Sequence, residues 1–229
     1  MEAKSEIVVK QIPKWTPKFK RNDPFAMLIF ASRNSGKSYL IRHLIRSYLR
    51  RKYDLFVVVS DSPDTESDLS PVCPEGTIFL TEMDYGAIDV MQQNNAKRLE
   101  HNKEPFSMLI IFDDKIGREV KNDDKLLQLF TRGRHLGISL IFSSQSKKFA
   151  ETTWLNNADY VILLKANSQQ QRKTILDNVI KGTVEVPDNV HEDKYLRSIM
   201  SKYMSNIGDA LVIDCKAQSN NNLSWYRAP

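Results

Sequence analysis

The 229-residue sequence predicts an α/β fold in which helices cover both faces of a mostly parallel central sheet. Short apolar runs rich in β-branched and aromatic residues alternate with longer segments of helical character, and this alternation is typical of parallel sheets. Runs such as 55–59 and 108–112 contain no polar residue, as expected for strands that are buried on both faces. A Gly-Lys-Ser sequence at 36–38 stands between the first strand and the first helix.

The predicted elements follow one another from residue 25 onward. Strands are predicted where apolar residues follow one another without interruption, and helices where polar residues surround apolar residues three and four positions apart. The Asn-rich end at 219–229 indicates a mobile tail. The predicted strands cover 25–30, 54–60, 77–81, 107–113, 138–145, 160–164 and 210–215, and the predicted helices cover 37–52, 85–102, 121–131, 168–180 and 195–204.

Residues 31–38 are predicted to form a phosphate-binding loop, because backbone N–H groups at a strand-to-helix turn can surround a polyphosphate. Lys37 can reach the β and γ phosphates, and the Ser38 hydroxyl can coordinate Mg²⁺. Ala31 stands where a glycine usually opens such a loop, so a positive φ at this position would be strained. The residues expected to contact the nucleotide are Ala31, Ser32, Arg33, Asn34, Ser35, Gly36, Lys37, Ser38 and Tyr39.

An acidic pair ends the predicted strand at 107–113. Open α/β sheets bind ligands at the carboxyl ends of their strands, where a carboxylate can hold Mg²⁺ directly or through water. We assign Asp113 to the metal. Asp114 is the candidate base that polarises the attacking water, although an aspartate reaches about one methylene less far than a glutamate.

A third block, 129–145, combines a turn rich in arginine with a strand that ends in polar residues. If this strand lies beside the first one, Gln145 points near the γ phosphate, where an amide can orient water or sense hydrolysis. Arg132 and Arg134 flank a glycine, which suits an arginine finger that is presented to a neighbouring subunit's nucleotide. Arg134 is the first candidate for this finger, with Arg132 as the second.

The composition excludes several classes of protein. The only two cysteines, Cys73 and Cys215, lack C-x-x-C spacing, and the four histidines lack metal-ligand spacing, so the sequence indicates neither a zinc site nor a disulfide framework. No apolar segment reaches 18 residues, and residues 1–6 contain no signal-peptide core. We therefore expect an intracellular protein that is neither inserted in a membrane nor secreted.

The chain carries 33 basic and 28 acidic residues, with a pI near 9.1, which is compatible with a polyanionic partner. Basic residues gather at 10–21 and, at i, i+4 spacing, at Arg42, Arg46 and Arg50, where a solvated helix face and a DNA contact both fit the pattern. The predicted organisation is a basic arm at 1–22, a P-loop domain at 23–216 and a mobile tail at 217–229.

The three blocks together resemble the genome-packaging ATPases of large double-stranded DNA viruses, poxvirus-like members of the FtsK-HerA superfamily of P-loop NTPases. The resemblance spans 25–164. By this similarity Lys37 and Ser38 match the nucleotide loop, Asp113 and Asp114 the acidic motif, and Gln145 the polar sensor. The blocks that carry it are ASRNSGKS at 31–38, LIIFDD at 109–114 and FTRGRHLGISLIFSSQ at 130–145.

The resemblance implies a RecA-like core, a homo-oligomeric ring, ATP as fuel and double-stranded DNA as the translocated substrate. A capsid or portal-vertex protein is the further partner that it implies. The expected location is the host cell cytoplasm or the viral assembly site, with incorporation in the virion as a further option.

Other functions stay open at this point. A nucleotide-dependent assembly or DNA-binding factor with little turnover is favoured by the short side chain of Asp114. A GTPase-like switch is disfavoured, because no Asn-Lys-x-Asp motif follows the acidic strand. A nucleoside kinase fits the loop and the size, but no arginine-rich lid follows the third block.

Overall fold

A computed structural model describes residues 9–114, 123–145, 152–216 and 222–229. The helix Lys37–Leu44 continues as a π-helical segment over Ile45–Leu49, and the helix Gln169–Ile175 continues in the same way over Leu176–Ile180. The strands are β1 (Ala26–Phe30), β2 (Leu55–Ser60), β3 (Ile78–Leu80), β4 (Met108–Asp113), β5 (Ile138–Ser144), β6 (Tyr160–Leu164), β7 (Asp209–Asp214) and β8 (Leu223–Arg227). The helices are α1 (Lys37–Leu44), α2 (Asp64–Leu69), α3 (Tyr85–Glu100), α4 (Asp124–Arg132), α5 (Thr152–Asn157), α6 (Gln169–Ile175) and α7 (Glu192–Tyr203).

The eight strands form one sheet in the order β3-β2-β4-β5-β1-β6-β7-β8. The neighbouring strands from β3 to β6 pair in parallel, whereas β7 and β8 are added antiparallel at one edge. The predicted mostly parallel sheet is confirmed. Strand β5 lies directly beside β1, with Ser144 level with Phe30, which is the arrangement on which the assignment of Gln145 depended.

Helices cover both faces of this sheet, because alternate residues of each strand enter two separate hydrophobic cores. In β4, Met108, Ile110 and Phe112 belong to one core, which also contains residues of α3 to α7. Leu109 and Ile111 belong to the other core, which contains residues of α1 and α2. This two-faced burial explains why the strand sequences are continuously apolar instead of alternating.

Polar residues fix where several helices begin. The Asp84 carboxylate accepts hydrogen bonds from the N–H groups of Gly86 and Ala87 at the start of α3. Asp123 caps α4 in the same way. Ser168 and Gln171 form a capping box at α6, which satisfies backbone donors that the helix itself leaves unpaired.

The prediction of a mobile tail is wrong for 222–229. Residues 223–227 form β8, which pairs with β7 from Leu223–Ile213 to Arg227–Asp209, and Leu223 and Tyr226 are buried. The run was missed because five residues after an Asn-rich segment give a weak local signal, whereas pairing and burial supply the stability. Residues 217–221 of the predicted tail lie outside the described residues.

The segment at 9–22 packs against β8 and the core. The Trp15 N–H donates to the Trp225 carbonyl at 2.8 Å, and the Trp225 N–H donates to the Pro13 carbonyl at 3.0 Å. The Trp15 ring is buried and lies edge-on to Tyr226, with 5.4 Å between the ring centroids. The described part of the predicted basic arm therefore covers the edge of the sheet, while its lysines remain exposed.

Candidate functional site

The predicted phosphate loop crosses the carboxyl edge of the sheet between β1 and α1. Its positive φ angles fall at Asn34, 60°, and at Gly36, 95°, where Gly36 caps α1. The φ angle of Ala31 is not positive, and its N–H donates to the Ser144 carbonyl at 3.1 Å. The strain that a positive φ would bring at Ala31 therefore does not arise, because the left-handed turns come later in the loop.

The turn before β7 packs directly on this loop. The Gly208 N–H donates to the Ser35 carbonyl at 3.0 Å. A Cβ atom on Gly36 would lie 2.9 Å from the Gly208 nitrogen, so any larger residue at position 36 would push the two backbones apart. Gly36 is thus required both by its conformation and by this close approach.

The loop is also held from the β6 side. The Ser32 hydroxyl donates to Oε1 of Gln171 at 3.1 Å and accepts from the Asn167 N–H at 3.1 Å. The Asn167 amide donates to the Arg33 carbonyl at 3.1 Å. The capping box of α6 is therefore part of the support of the phosphate loop.

Asp113 lies at the end of β4, buried and fixed by three neighbours. Its Oδ1 accepts from Lys37 Nζ at 2.9 Å and from the Ser143 hydroxyl at 2.6 Å. Its Oδ2 accepts from the Thr65 hydroxyl at 3.4 Å. These contacts hold the carboxylate directly beside the phosphate loop.

Asp114 adopts a positive φ of 52°, which turns its side chain back toward the loop. Its Oδ2 forms an ion pair with Lys37 and accepts from the Gln145 amide at 2.7 Å. The structure thus brings together Lys37, Asp113, Asp114 and Gln145, four of the residues that the sequence assigned to the chemistry. A strained conformation at this non-glycine residue is consistent with a functional position.

Two buried polar atoms at this edge have no hydrogen-bond partner among the described residues. They are the Ser35 hydroxyl in the phosphate loop and Oδ1 of Asp114. Buried polar groups are normally paired, so these atoms call for a polar ligand. A nucleoside triphosphate with Mg²⁺ fits, because the loop offers N–H groups, Lys37 a cation, Ser38 a hydroxyl and Asp113 a carboxylate.

Arg132 and Arg134 lie away from this cluster, at the opposite edge of the sheet. Arg134 precedes β5 and forms an ion pair of 2.5 Å with Asp159, which precedes β6 and is 4% exposed. Strands of five to seven residues separate the two edges by roughly 15–20 Å. Among the described residues, neither arginine contacts the edge of the sheet that carries the phosphate loop, so a finger role requires a second subunit.

Sequence reasoning missed several residues that shape the site. Ser143 and Thr65 bind Asp113, and Gln171 and Gly208 support the loop. Ser143 could have been found, because a polar residue at the end of an apolar strand is unusual. The others come from distant elements and carry no local pattern.

Comparison with solved structures shows the same fold. The genome packaging NTPase B204 from Sulfolobus turreted icosahedral virus 2, in complex with AMPPCP, is similar with a TM-score of 0.58 and 16% identity over 91% of this chain and 99% of that chain. B204 from Sulfolobus Turreted Icosahedral Virus, a DNA-packaging ATPase, gives 0.57 and 18% over 90% and 99%. EssC (ATPases 2 and 3) from Geobacillus thermodenitrificans gives 0.60 and 14% over 91% and 40%. The predicted RecA-like P-loop fold is confirmed.

Two viral proteins are similar in sequence. Protein 015R of Frog virus 3 (isolate Goorha) is 23% identical over 207 residues, which cover 89% of this chain and 61% of that protein. Protein 075L of Invertebrate iridescent virus 6 is 27% identical over 206 residues, 87% of this chain and 73% of that protein. The chain thus spans about three fifths of the length of the Frog virus 3 relative.

The sequence model of one family, described as Poxvirus A32 protein, matches residues 15–190. The match includes the phosphate loop, the acidic pair and the block that ends at Gln145. It confirms the poxvirus-like family resemblance that the sequence indicated. Because the match spans most of the chain, this protein belongs to the Poxvirus A32 protein family.

Proposed function

We propose that this protein is an ATPase motor that moves double-stranded DNA and packages a viral genome into a preformed capsid. The observation that carries the proposal is the convergence of Lys37, Asp113, Asp114 and Gln145 on one edge of the sheet, beside the phosphate loop. The family and the fold of the B204 proteins support this function over the other P-loop activities.

Each residue of the site has a separate role in hydrolysis, set by its position. Lys37 meets the β and γ phosphates, and Ser38 and Asp113 would hold Mg²⁺, which neutralises phosphate charge and orients the leaving group. Asp114 accepts a proton from the attacking water, and Gln145 holds the carboxylate in place. Lys37 currently contacts both carboxylates, so phosphate binding exchanges these ion pairs for contacts with the nucleotide.

The partners follow from the same proposal. We infer a homo-oligomeric ring in which Arg132, exposed at the opposite edge, reaches the nucleotide of the next subunit. Arg46, Arg50 and Arg51 form an exposed basic surface at the end of α1 that suits DNA phosphates. A capsid or portal-vertex protein would complete the assembly in the host cytoplasm or at the viral assembly site. Within the described parts of the chain, no helix is both long and apolar enough to cross a membrane.

A nucleotide-dependent assembly factor with little turnover is the second candidate. The observation that favours it is the short side chain of Asp114, which reaches about one methylene less far than a glutamate. In that case nucleotide orders the oligomer, but hydrolysis is slow and indifferent to DNA.

The decisive experiment measures ATPase rate against the length of duplex DNA and against salt. A motor that grips phosphates shows stimulation by duplexes of unrelated sequence, and the stimulation weakens as salt rises. Single-stranded DNA and the Lys37→Ala variant are the controls, and the variant is expected to lose turnover. The assembly factor would be favoured if the ATPase rate at low salt did not change with DNA. The protein used must be oligomeric by light scattering and must bind nucleotide.

A further inference from the structure

The turn at 205–208 lies at the carboxyl edge of the sheet beside the phosphate loop, although it is remote from that loop in sequence. It is bound to the loop through the Gly208–Ser35 hydrogen bond. Asp209 anchors it from behind by accepting from the Asn206 N–H at 2.9 Å and by an ion pair with Arg227. Burial alone would raise the pKa of Asp209, but the hydrogen bonds from Arg227 and Asn206 hold it below its ordinary value.

This turn exposes one large apolar side chain beside the phosphate loop. Ile207 is 70% exposed, the highest value among the large hydrophobic residues that the structure describes. Its Cγ2 atom lies 3.4 Å from the position that a Cβ of Gly36 would occupy. Single exposed apolar residues are common on surfaces, but here the neighbouring backbone holds the side chain directly at the loop.

A second exposed apolar residue lies near the phosphate loop, on the first turn of α1. Tyr39 is 48% exposed and follows Gly36 by three positions, so both residues face the same side of the first turn of α1. The Tyr39 hydroxyl donates to the Pro229 carbonyl just beyond β8, which ties the ring to the β7–β8 side of the sheet. Ile207 and Tyr39 are thus both exposed next to the phosphate loop, at the N-terminal end of α1.

The strand order shows which end of the phosphate loop lies nearer to the acidic pair. Asp113, Asp114 and Gln145 lie at the ends of β4 and β5, on one side of β1. Ile207 precedes β7, on the other side of β1. A nucleotide whose γ phosphate faces the acidic pair extends its sugar and base toward the opposite end of the loop, where Ile207 and Tyr39 are exposed.

We propose that Ile207, together with Tyr39, forms the apolar wall against which the base of the bound nucleotide packs. This inference rests on the proposed nucleotide-binding function and names the base-contacting surface of that same site. An apolar wall contacts the face of any purine ring, so it adds affinity while discriminating weakly between ATP and GTP.

The test compares the binding of ADP with that of tripolyphosphate, which has the phosphates but no base. Replacing Ile207 with Ser should weaken ADP binding by about 5- to 20-fold, because apolar contact with the ring is lost, and leave tripolyphosphate binding unchanged. Ile207→Leu should restore most of the ADP affinity. Leu99→Ser is the matched control, because Leu99 is 60% exposed on α3, and it should bind both ligands like the unmodified protein.

Three results would overturn the inference. Unchanged ADP affinity in a folded Ile207→Ser variant would show that the base does not contact this side chain. An equal loss of affinity for ADP and tripolyphosphate would show that Ile207 only supports the phosphate loop. If the unmodified protein bound neither ligand, the proposed nucleotide site itself would fail, and the base wall would fail with it.

Discussion

The side-chain amide of Gln145 donates a hydrogen bond of 2.7 Å to Oδ2 of Asp114, so the ends of β5 and β4 are joined at the candidate base. The same oxygen also contacts Lys37. When Lys37 meets phosphate, Gln145 is the described neighbour that continues to hold the carboxylate. We therefore expect Gln145 to position Asp114, in addition to the contact with the γ phosphate that the sequence predicted.

Replacing Gln145 with Ala should lower kcat by about 10- to 100-fold, because a misplaced base is a poor acceptor for the proton of water. Nucleotide affinity should stay nearly the same. Single-turnover ATPase together with equilibrium binding measures both quantities. Gln128→Ala, at an exposed position of α4, is the control. Equal kcat values for the two variants would contradict the positioning role.

The two carboxylates should respond differently to amide substitution. Asp114→Asn should bind Mg·ATP but hydrolyse it at least about 100-fold more slowly, since an amide cannot accept the proton. Asp113→Asn should also weaken the Mg²⁺-dependent part of nucleotide binding, because it removes a charged metal ligand. Titration of each variant with ATP, with and without Mg²⁺, separates the two effects. Identical behaviour of the two variants would mean that the assigned roles are wrong.

The contact of Arg134 with Asp159 predicts a loss of stability for Arg134→Ala. Asp159 also accepts from the Ala26 N–H at 2.7 Å, so it retains one partner when the arginine is removed. We expect a loss of about 1–3 kcal/mol in the free energy of unfolding, because a buried carboxylate loses its charged neighbour. Urea denaturation measures it. Arg132→Ala, at an exposed position, should change stability by less than about 0.5 kcal/mol.

Substitution of Arg132 is the more direct test of whether an arginine finger acts on the nucleotide of the neighbouring subunit. Arg132→Ala should bind ATP normally and lose hydrolysis, since the charge that develops during transfer goes unmet. Mixing Arg132→Ala with Lys37→Ala subunits should restore part of the activity, because some composite sites are then complete. A mixture as inactive as its two components would argue against Arg132, and the same mixture made with Arg134→Ala tests the other candidate.

Trp15 should be required for the edge of the sheet to stay closed. Its ring is buried against Tyr226 and lies 5.8 Å from the Tyr160 ring, between centroids. Trp15→Ala should cost about 3–5 kcal/mol of unfolding free energy by leaving a cavity. Thermal and chemical denaturation would show the loss. A shift as small as that of Leu99→Ala would mean that the segment at 9–22 is not part of the core.

Local sequence patterns were sufficient to predict the phosphate loop, the acidic pair and the parallel character of the sheet. Each depends on residues that are close together in the chain: a Gly-Lys-Ser after an apolar run, two carboxylates at a strand end, and apolar runs alternating with helices. Each of these patterns is confined to a few neighbouring residues, so these features can be recognised locally.

The distant residues that complete the site could be identified only once the chain was seen folded. The insertion of β5 between β1 and β4 places Gln145 on Asp114, and the approach of Gly208 to Gly36 places Ile207 at the phosphate loop. The ion pair with Asp159 holds Arg134 at the far edge, and pairing with β7 makes a strand of residues that locally indicated a tail. Strand order, ion pairing and edge pairing are set by the free energy of burial over the whole chain, which no short stretch of sequence encodes.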